Sequence, residues 1–384
     1  MILFYLLLIA AAALLGVALW NALAWPRVAA GASAATGRAR VSILIPARDE
    51  ETNLAACLDA ALAQEDAGTI CEVLIYDDHS TDRTPAVIKH YATLDARVKS
   101  VPSAPLPDGW CGKTFACAQL AAAARGEWLL FLDADARLCA GAATRMLAEA
   151  TNRTVAGRAV TLLSCWPALE MRGFWERVLM PLLNFVVFTL YPAPLALKRA
   201  DASLGLAHGA CLLADAQTYA RVGGHAAVRA ELFEDVRLAQ LWRARGEASL
   251  CLDGRGTVSV RMYRSFAEIW GGFQKNFFPA FRRESNFWLF MATHLSLFLL
   301  PFICAPLFYG TRAGVACAAL ALCALLMRAT LALRFGHPWW SVALHPLGEA
   351  ILVALGLSSW RRCKSGRGVE WKGRRYRTEK NAEV

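Results

Sequence analysis

The chemistry of this sequence is carried by pairs of carboxylates. Asp133 and Asp135 stand two apart in Phe131-Leu132-Asp133-Ala134-Asp135-Ala136, where an apolar run ends. Side chains two apart on a strand share a face. Ionised carboxylates beside an apolar sheet cost several kcal/mol each unless paired. A divalent cation held between them and a diphosphate removes that cost, and Mg2+ usually binds in this way, through one or two carboxylates plus substrate phosphates. A loop start with solvated aspartates is the plain alternative. A phosphatase-type Asp-x-Asp nucleophile is disfavoured, because the motif sits in mid-chain with Arg137 two residues after Asp135.

Other clusters have related chemistry. In Tyr76-Asp77-Asp78-His79-Ser80-Thr81-Asp82 two adjacent carboxylates follow an apolar run. One of them suits the imide N–H of a uracil, and helix capping by Ser80 or Asp82 accounts for only one acid. Pro46-Ala47-Arg48-Asp49-Glu50 can hold a nucleotide through backbone groups and Arg48, although a capped strand-to-helix turn looks the same. Gly109-Trp110-Cys111-Gly112-Lys113-Thr114 opens a helix, and a helix N-terminus with a lysine favours phosphate. It lacks the Walker A spacing, so ATPase chemistry is unsupported. Gly223-Gly224-His225 precedes Glu231-Leu232-Phe233-Glu234-Asp235. Those acids either favour the N-terminus of the helix 236–245 or supply Asp235 as a general base toward an acceptor hydroxyl. Around Trp270 and Lys275, aromatic and basic residues alternate. They read as an interfacial belt or as groups closing over a diphosphate.

These residues need a scaffold. Residues 41–46, 73–76 and 128–132 read as buried strands, and 53–63, 84–91, 114–125 and 140–150 as helices. This alternation argues a parallel sheet with helices on both faces. Ligands of such sheets bind beyond the carboxyl ends of the strands, where the acidic clusters fall.

The chain of 384 residues is 57% hydrophobic and 19% charged, which excludes a disordered chain, a collagen or a coiled coil. Residues 1–26 carry no charge and lack the basic start of a signal peptide, so they read as an uncleaved membrane helix. Arg27, Arg38 and Arg40 follow and place the next segment in the cytoplasm by the positive-inside rule. The apolar stretch 178–197 carries Pro181, Pro192 and Pro194 and reads as an interfacial or acceptor-gripping segment. Residues 286–311 and 313–333 read as spans, and 339–360 as a third candidate weakened by Pro346 and Glu349. Arg328 in the second costs about 2.5–3.5 kcal/mol at a helix centre and is expected to snorkel. The tail 361–384 holds nine Lys/Arg against three Asp/Glu. A basic tail beside an apolar helix faces anionic lipid rather than nucleic acid, which wants the basic stripe on the folded domain. The twelve cysteines show no CxxC pair and no zinc spacing, and read as small buried hydrophobes in a reducing compartment.

Taken in order, the clusters at 45–51, 74–84, 131–136 and 231–235 resemble the family 2 glycosyltransferases, over about residues 41–280. The resemblance implies an α/β nucleotide-binding, Rossmann-like mixed sheet of the A type, to which the apolar segments add one N-terminal and two to three C-terminal transmembrane helices. The expected division is then 1–26, 41–280, 286–360 and the tail 361–384. Pro46, Ala47, Arg48, Glu50, Asp78, Lys113 and Asp133 are then nucleotide contacts. Asp133 and Asp135 bind Mg2+ or Mn2+ with the diphosphate, and Asp235 is the catalytic base. Glu234, Trp270 and Lys275 are possible diphosphate or acceptor contacts. Pro105-Leu-Pro-Asp-Gly-Trp-Cys-Gly-Lys113, the run 223–229 and Val369-Glu-Trp371-Lys-Gly-Arg374-Arg-Tyr376 look like a membrane subgroup that includes hopanoid-associated and carotenoid glycosyltransferases. Processive synthases carry Gln-x-x-Arg-Trp, whereas Gln274 here is followed by Lys275-Asn276-Phe277-Phe278. The expectation is an inverting, metal-dependent enzyme of the inner membrane, its catalytic domain cytoplasmic, that moves a sugar from a nucleotide sugar, uridine-linked, to a lipid acceptor. A processive polysaccharide synthase and an inactive membrane scaffold are the alternatives. The expected partners are the donor, the lipid acceptor and the bilayer, with no nucleic acid.

Overall fold

The computed structural model describes residues 2–29, 39–64, 69–365 and 369–376; Arg38 and the end of the basic tail lie outside them. The chain divides into two compact units, one of Trp25–Glu170 with Ala193–Met262, the other of Met1–Ala24, Met171–Pro192 and Tyr263–Val384. Residues 171–192 and 263–280, expected within a single 41–280 domain, group instead with the helical unit. Their packing partners are distant in sequence and leave no local pattern.

The first unit is built on strands β1 (Val41–Ala47), β2 (Ile70–Asp77), β3 (Val98–Val101), β4 (Trp128–Leu132), β5 (Ala136–Leu138), β6 (Thr154–Val155), β7 (Arg158–Trp166), β8 (Ala168–Leu169), β9 (Cys211–Asp215), β10 (Ala248–Asp253) and β11 (Val258–Val260). The main sheet runs β10-β7-β9-β4-β1-β2-β3. β1 pairs in parallel with β2 and β4, and β9 is antiparallel to both β4 and β7. The sheet is therefore mixed. β4 is buried throughout, as β1 nearly is, because helices cover both faces and such strands read as continuous apolar runs. Alternate residues feed two cores: Ile43, Ile45 and Leu130 on one face, Leu44, Leu129 and Phe131 on the other. β5, β11 and β8 form a smaller sheet.

The second unit is helical. Three of its helices are long and apolar enough to cross a membrane: Ile2–Ala24, Glu284–Leu307 and Arg312–Phe335. The candidate 339–360 is instead a short helix Trp339–Ala343 and a helix His345–Lys364, opened by Pro346. Glu349, Arg361, Arg362 and Lys364 make the latter too charged for that class. The first part of the stretch 178–197 belongs to the helix Phe174–Leu190, largely buried against its neighbours, and Asn21 Nδ2 donates to the carbonyls of Phe188 (2.8 Å) and Tyr191 (2.7 Å).

Arg328 does not snorkel. It is fully buried, with Nη1 3.4 Å from His337 Nδ1 and Nη2 3.5 Å from Ser341 Oγ. Neighbouring segments supply polar partners that a lone helix in lipid lacks. All twelve cysteines are free thiols.

Candidate active site

Strands β4, β1 and β2 are adjacent and parallel, so the polar residues after each emerge at one edge of the sheet. The loops after β1 and β2 are clamped to each other. Asp78 N–H donates to the Ala47 carbonyl (2.8 Å). Asp49 N–H donates to Ser80 Oγ (2.9 Å), Glu50 N–H to Thr84 Oγ1 (2.8 Å), and Thr81 N–H to Asp49 Oδ1 (2.7 Å). Arg48 Nη1 donates to the Asp78 carbonyl at 2.5 Å and lies 3.9 Å from its carboxylate. Ser80 and Asp82, the alternative caps of the helix Thr84–Leu94 in the sequence reading, bind the first loop, Asp82 Oδ2 accepting from Glu51 N–H (3.0 Å), while Arg83 stands at the N-cap. Asp78 is buried.

Antiparallel β9 delivers the other half of the site. Cys211 pairs with Leu132, so the loop before β9 lies beside Asp133, whose N–H donates to the Ala210 carbonyl (3.1 Å). The next residue back, Gly209, donates its N–H to Asp235 Oδ2 at 2.7 Å. Asp235 and Glu234 open the helix Glu234–Ala244, and Lys113 opens Gly112–Ala123.

Lys113 Nζ stands between two carboxylates, 2.8 Å from Asp133 Oδ1 and 2.9 Å from Glu234 Oε1. These groups line one cleft with Pro46, Phe131, His225 and Asp235. Burial alone would lower the lysine, but Asp133 and Glu234 hold it well above its usual range. Burial raises Asp133, against the opposing pull of Lys113. Burial, then Glu234, pushes Asp235 up to about 7. Three carboxyl groups thus face one ammonium, with one carboxyl set to exchange protons near neutrality.

Of the residues expected at the site, the structure brings Pro46, Lys113, Asp133, Glu234 and Asp235 into this cleft. Ala47, Arg48, Glu50 and Asp78 form the adjoining clamped loops. Asp135 follows Asp133 in a turn closed by the Ala136 N–H to Asp133 carbonyl bond (2.9 Å), and is half-buried. Trp270 and Lys275 lie on the helix Phe266–Asn276 of the other unit, where Trp270 packs on Phe266 at 5.9 Å.

Among the described residues no group of three or more His, Cys, Asp or Glu side chains has the geometry of a metal site. The donor chemistry fits a hard divalent cation in kind, through the carboxylate oxygens of the half-buried Asp133 and Asp135, with Lys113 Nζ already supplying one positive charge to Asp133.

Gly209, Ser164 and His225 were not among the expected site residues. Gly209 acts through its backbone. Ser164 Oγ accepts from His208 N–H (2.8 Å) and donates to the His208 carbonyl (3.2 Å), fixing the loop that carries Gly209. The sequence signal for this loop is a lone His-Gly-Ala just before the apolar run 211–214.

Residues 42–188 match the family described as glycosyl transferase family 2. A 4,4'-diaponeurosporenoate glycosyltransferase of Staphylococcus aureus (strain USA300) is 26% identical over 358 residues, covering 88% of this chain and 89% of that protein. The same enzyme of strain MRSA252 is 25% identical over 357 residues, with the same coverage. Among solved structures, a mannosyltransferase from Pyrobaculum calidifontis in complex with GDP-Man and Mn2+ superposes with a TM-score of 0.50 at 18% identity, covering 93% of this chain and 98% of its own. With its clustered acids at the carboxyl ends of a mixed sheet, this chain carries a family 2 glycosyltransferase domain in an A-type fold, and it is a glycosyltransferase.

Proposed function

We propose that the enzyme transfers a sugar, with inversion, from a uridine-linked nucleotide sugar to a lipid acceptor at the inner membrane. The observation that carries this reading is the convergence of Lys113, Asp133, Glu234 and Asp235 in one cleft at the carboxyl ends of the strands. The clamped loops of Ala47, Arg48, Glu50 and Asp78 suit the nucleoside, with the Asp78 carboxylate available to a base N–H. Asp133 and Asp135 would hold Mg2+ or Mn2+, which when bound supplies positive charge against the departing diphosphate. Lys113 adds its charge on the same side, where electrostatic stabilisation counts most. Asp235 takes the proton of an acceptor hydroxyl as its oxygen bonds to the anomeric carbon and the bond to the diphosphate breaks. Toward a carboxylate acceptor no base is needed, and Asp235 only orients it.

A lipid acceptor is supported by the relatives named for 4,4'-diaponeurosporenoate and by the three apolar helices, which would hold the enzyme at a bilayer. Arg27 and Arg40 after the first helix favour a cytoplasmic catalytic unit. The test is calorimetry of UDP-sugar binding with and without Mn2+, with mass spectrometry of membrane lipids from cells that have and lack the gene. Metal-dependent binding and a hexose-type mass increment are expected. Binding without transfer to any lipid would overturn the acceptor assignment.

A further inference from the structure

Of the polar side chains lining the cleft, His225 has no task in the reaction described above. It is nine-tenths buried, at 5% exposure, and it follows two glycines in left-handed conformations, φ +83° and +47°. The second makes room for Tyr219: a β-carbon on Gly224 would stand 2.2 Å from the Tyr219 ring.

Tyr219 fixes the protonation pattern of the histidine. Its hydroxyl accepts the backbone N–H of His225 (3.0 Å) and lies 2.8 Å from ring Nδ1. No other acceptor meets that hydroxyl among the described residues, so its single proton goes to Nδ1. Burial pushes the imidazole down to about 4, and the ring is neutral at physiological pH. A neutral imidazole that accepts at Nδ1 carries its hydrogen on Nε2. Among the described residues Nε2 has no protein partner. The ring packs on Phe131 at 4.7 Å and lines the cleft with Glu234.

The cleft is rich in acceptors and poor in donors. Its carboxylates only accept when ionised, and Lys113 is engaged by Asp133 and Glu234. A free phosphate would prefer the lysine. A neutral N–H beside a carboxylate matches a hydroxyl group, which accepts from one and donates to the other. Building on the glycosyl-transfer reading, we infer that His225 and Glu234 together read one hydroxyl of the sugar being transferred, with Nε2–H donating to its oxygen and the carboxylate accepting its hydrogen. His225 is then a specificity residue for the donor sugar, distinct from the groups that hold nucleotide and metal.

The experiment compares the wild type with His225→Phe, which keeps a flat ring without a donor, and His225→Gln, which restores an N–H. Each is assayed with the parent UDP-sugar and its monodeoxy analogues, and UDP affinity is measured by calorimetry with Mn2+. The wild type is expected to disfavour one monodeoxy donor in kcat/KM by about ten- to a hundredfold, the range for a hydrogen bond to a charged or strongly polar partner. His225→Phe should lose a similar factor with the parent alone, so that parent and that analogue become equivalent, while UDP affinity stays unchanged. His225→Gln should recover part of the preference. Unchanged kcat/KM in His225→Phe, an equal loss with the parent and every analogue in both variants, or loss of UDP affinity would each overturn the inference. Failure of the wild type to transfer from any UDP-sugar would instead overturn the reading on which the inference rests.

Discussion

The backbone N–H of Gly209 donates to Asp235 Oδ2 at 2.7 Å, while Asp235 Oδ1 accepts from Val236 N–H at 2.7 Å. Both oxygens of the candidate base are thus held by the main chain, which fixes the carboxyl without adding a positive side chain to it. A β-carbon at position 209 would stand 2.9 Å from Lys113 Nζ and 3.3 Å from that oxygen. Glycine therefore lets the loop approach both members of the acid–lysine cluster.

A pH profile follows from this environment. Asp235 is raised from 3.8 to about 7, first by burial and then by Glu234, and only its ionised form accepts a proton. With a hydroxyl acceptor, kcat/KM should climb tenfold per pH unit up to about pH 7 and level off above. Asp235→Asn should flatten the profile and lower it by roughly 10²–10⁴-fold. The stability effect has the opposite sense. The folded state binds the extra proton between 3.8 and about 7, so stability is lost as pH rises through that window. Thermal melts should show Asp235→Asn more stable than the wild type above the window and not below it. A flat wild-type profile across pH 7 would remove Asp235 from the role of base.

Lys113 is the cation of the cleft. Lys113→Met leaves Asp133, Glu234 and Asp235 facing one another, and loss of hydrogen bonds to charged groups costs about 1.5–3 kcal/mol each when a partner is left unsatisfied. The variant should melt earlier than the wild type, most clearly well above pH 7, where Asp235 is ionised. Added Mn2+ should raise the melting temperature of the variant more than that of the wild type, because the ion replaces the missing charge. Equal shifts in the two proteins would argue that the ion does not replace the charge of Lys113, and no shift in either would argue that Asp133 holds no metal.

The core strands and the acidic loop of Asp133 were legible in the sequence for one physical reason. A parallel strand covered on both faces is an unbroken apolar run, and its carboxyl end is where polarity returns. The antiparallel β9 gave no such cue. It carries few polar residues, and its contribution, Gly209, works through a backbone N–H that any residue type possesses. His225 stood out only as part of a glycine motif, since its tautomer depends on Tyr219 six residues earlier. The division at residues 171–192 was hidden because the helix Phe174–Leu190 meets partners far along the chain. Arg328 was misjudged because an insertion argument treats one helix in lipid, whereas His337 and Ser341 come from the turn and short helix that follow Phe335.

Gly205 separates the loop of Gly209 from the helix of Asp235. A β-carbon there would lie 2.5 Å from Gln240 N and 2.6 Å from the Ala239 carbonyl carbon. These are backbone atoms and cannot rotate away. Gly205→Ala should push the helix Glu234–Ala244 from the loop, destabilise by about 1–3 kcal/mol as overpacking does, and lower kcat more than it weakens UDP binding. Gly271→Ala is the control, since a β-carbon there meets nothing within 4 Å and helical Gly→Ala gains roughly 0.5–1 kcal/mol. Equal melting temperatures for wild type and Gly205→Ala would mean that this contact relaxes freely.

The helical unit has its own buried charges. Arg328 and Glu349 are both fully buried, and Glu349 Oε2 lies 2.8 Å from His294 Nδ1 while acting electrostatically on Arg328. Removing one partner of a buried pair strands the other charge and costs about 3–5 kcal/mol, whereas replacing both by apolar residues is often neutral or stabilising. In detergent, Arg328→Leu and Glu349→Leu should each lower the melting temperature sharply, and the double variant should melt above either single one. A double-mutant cycle separates the coupling between the two groups from the contacts that each makes with its other partners. Strictly additive losses would show that the two groups are held by separate partners, with His294 alone satisfying Glu349 and the His337–Ser341 turn alone satisfying Arg328.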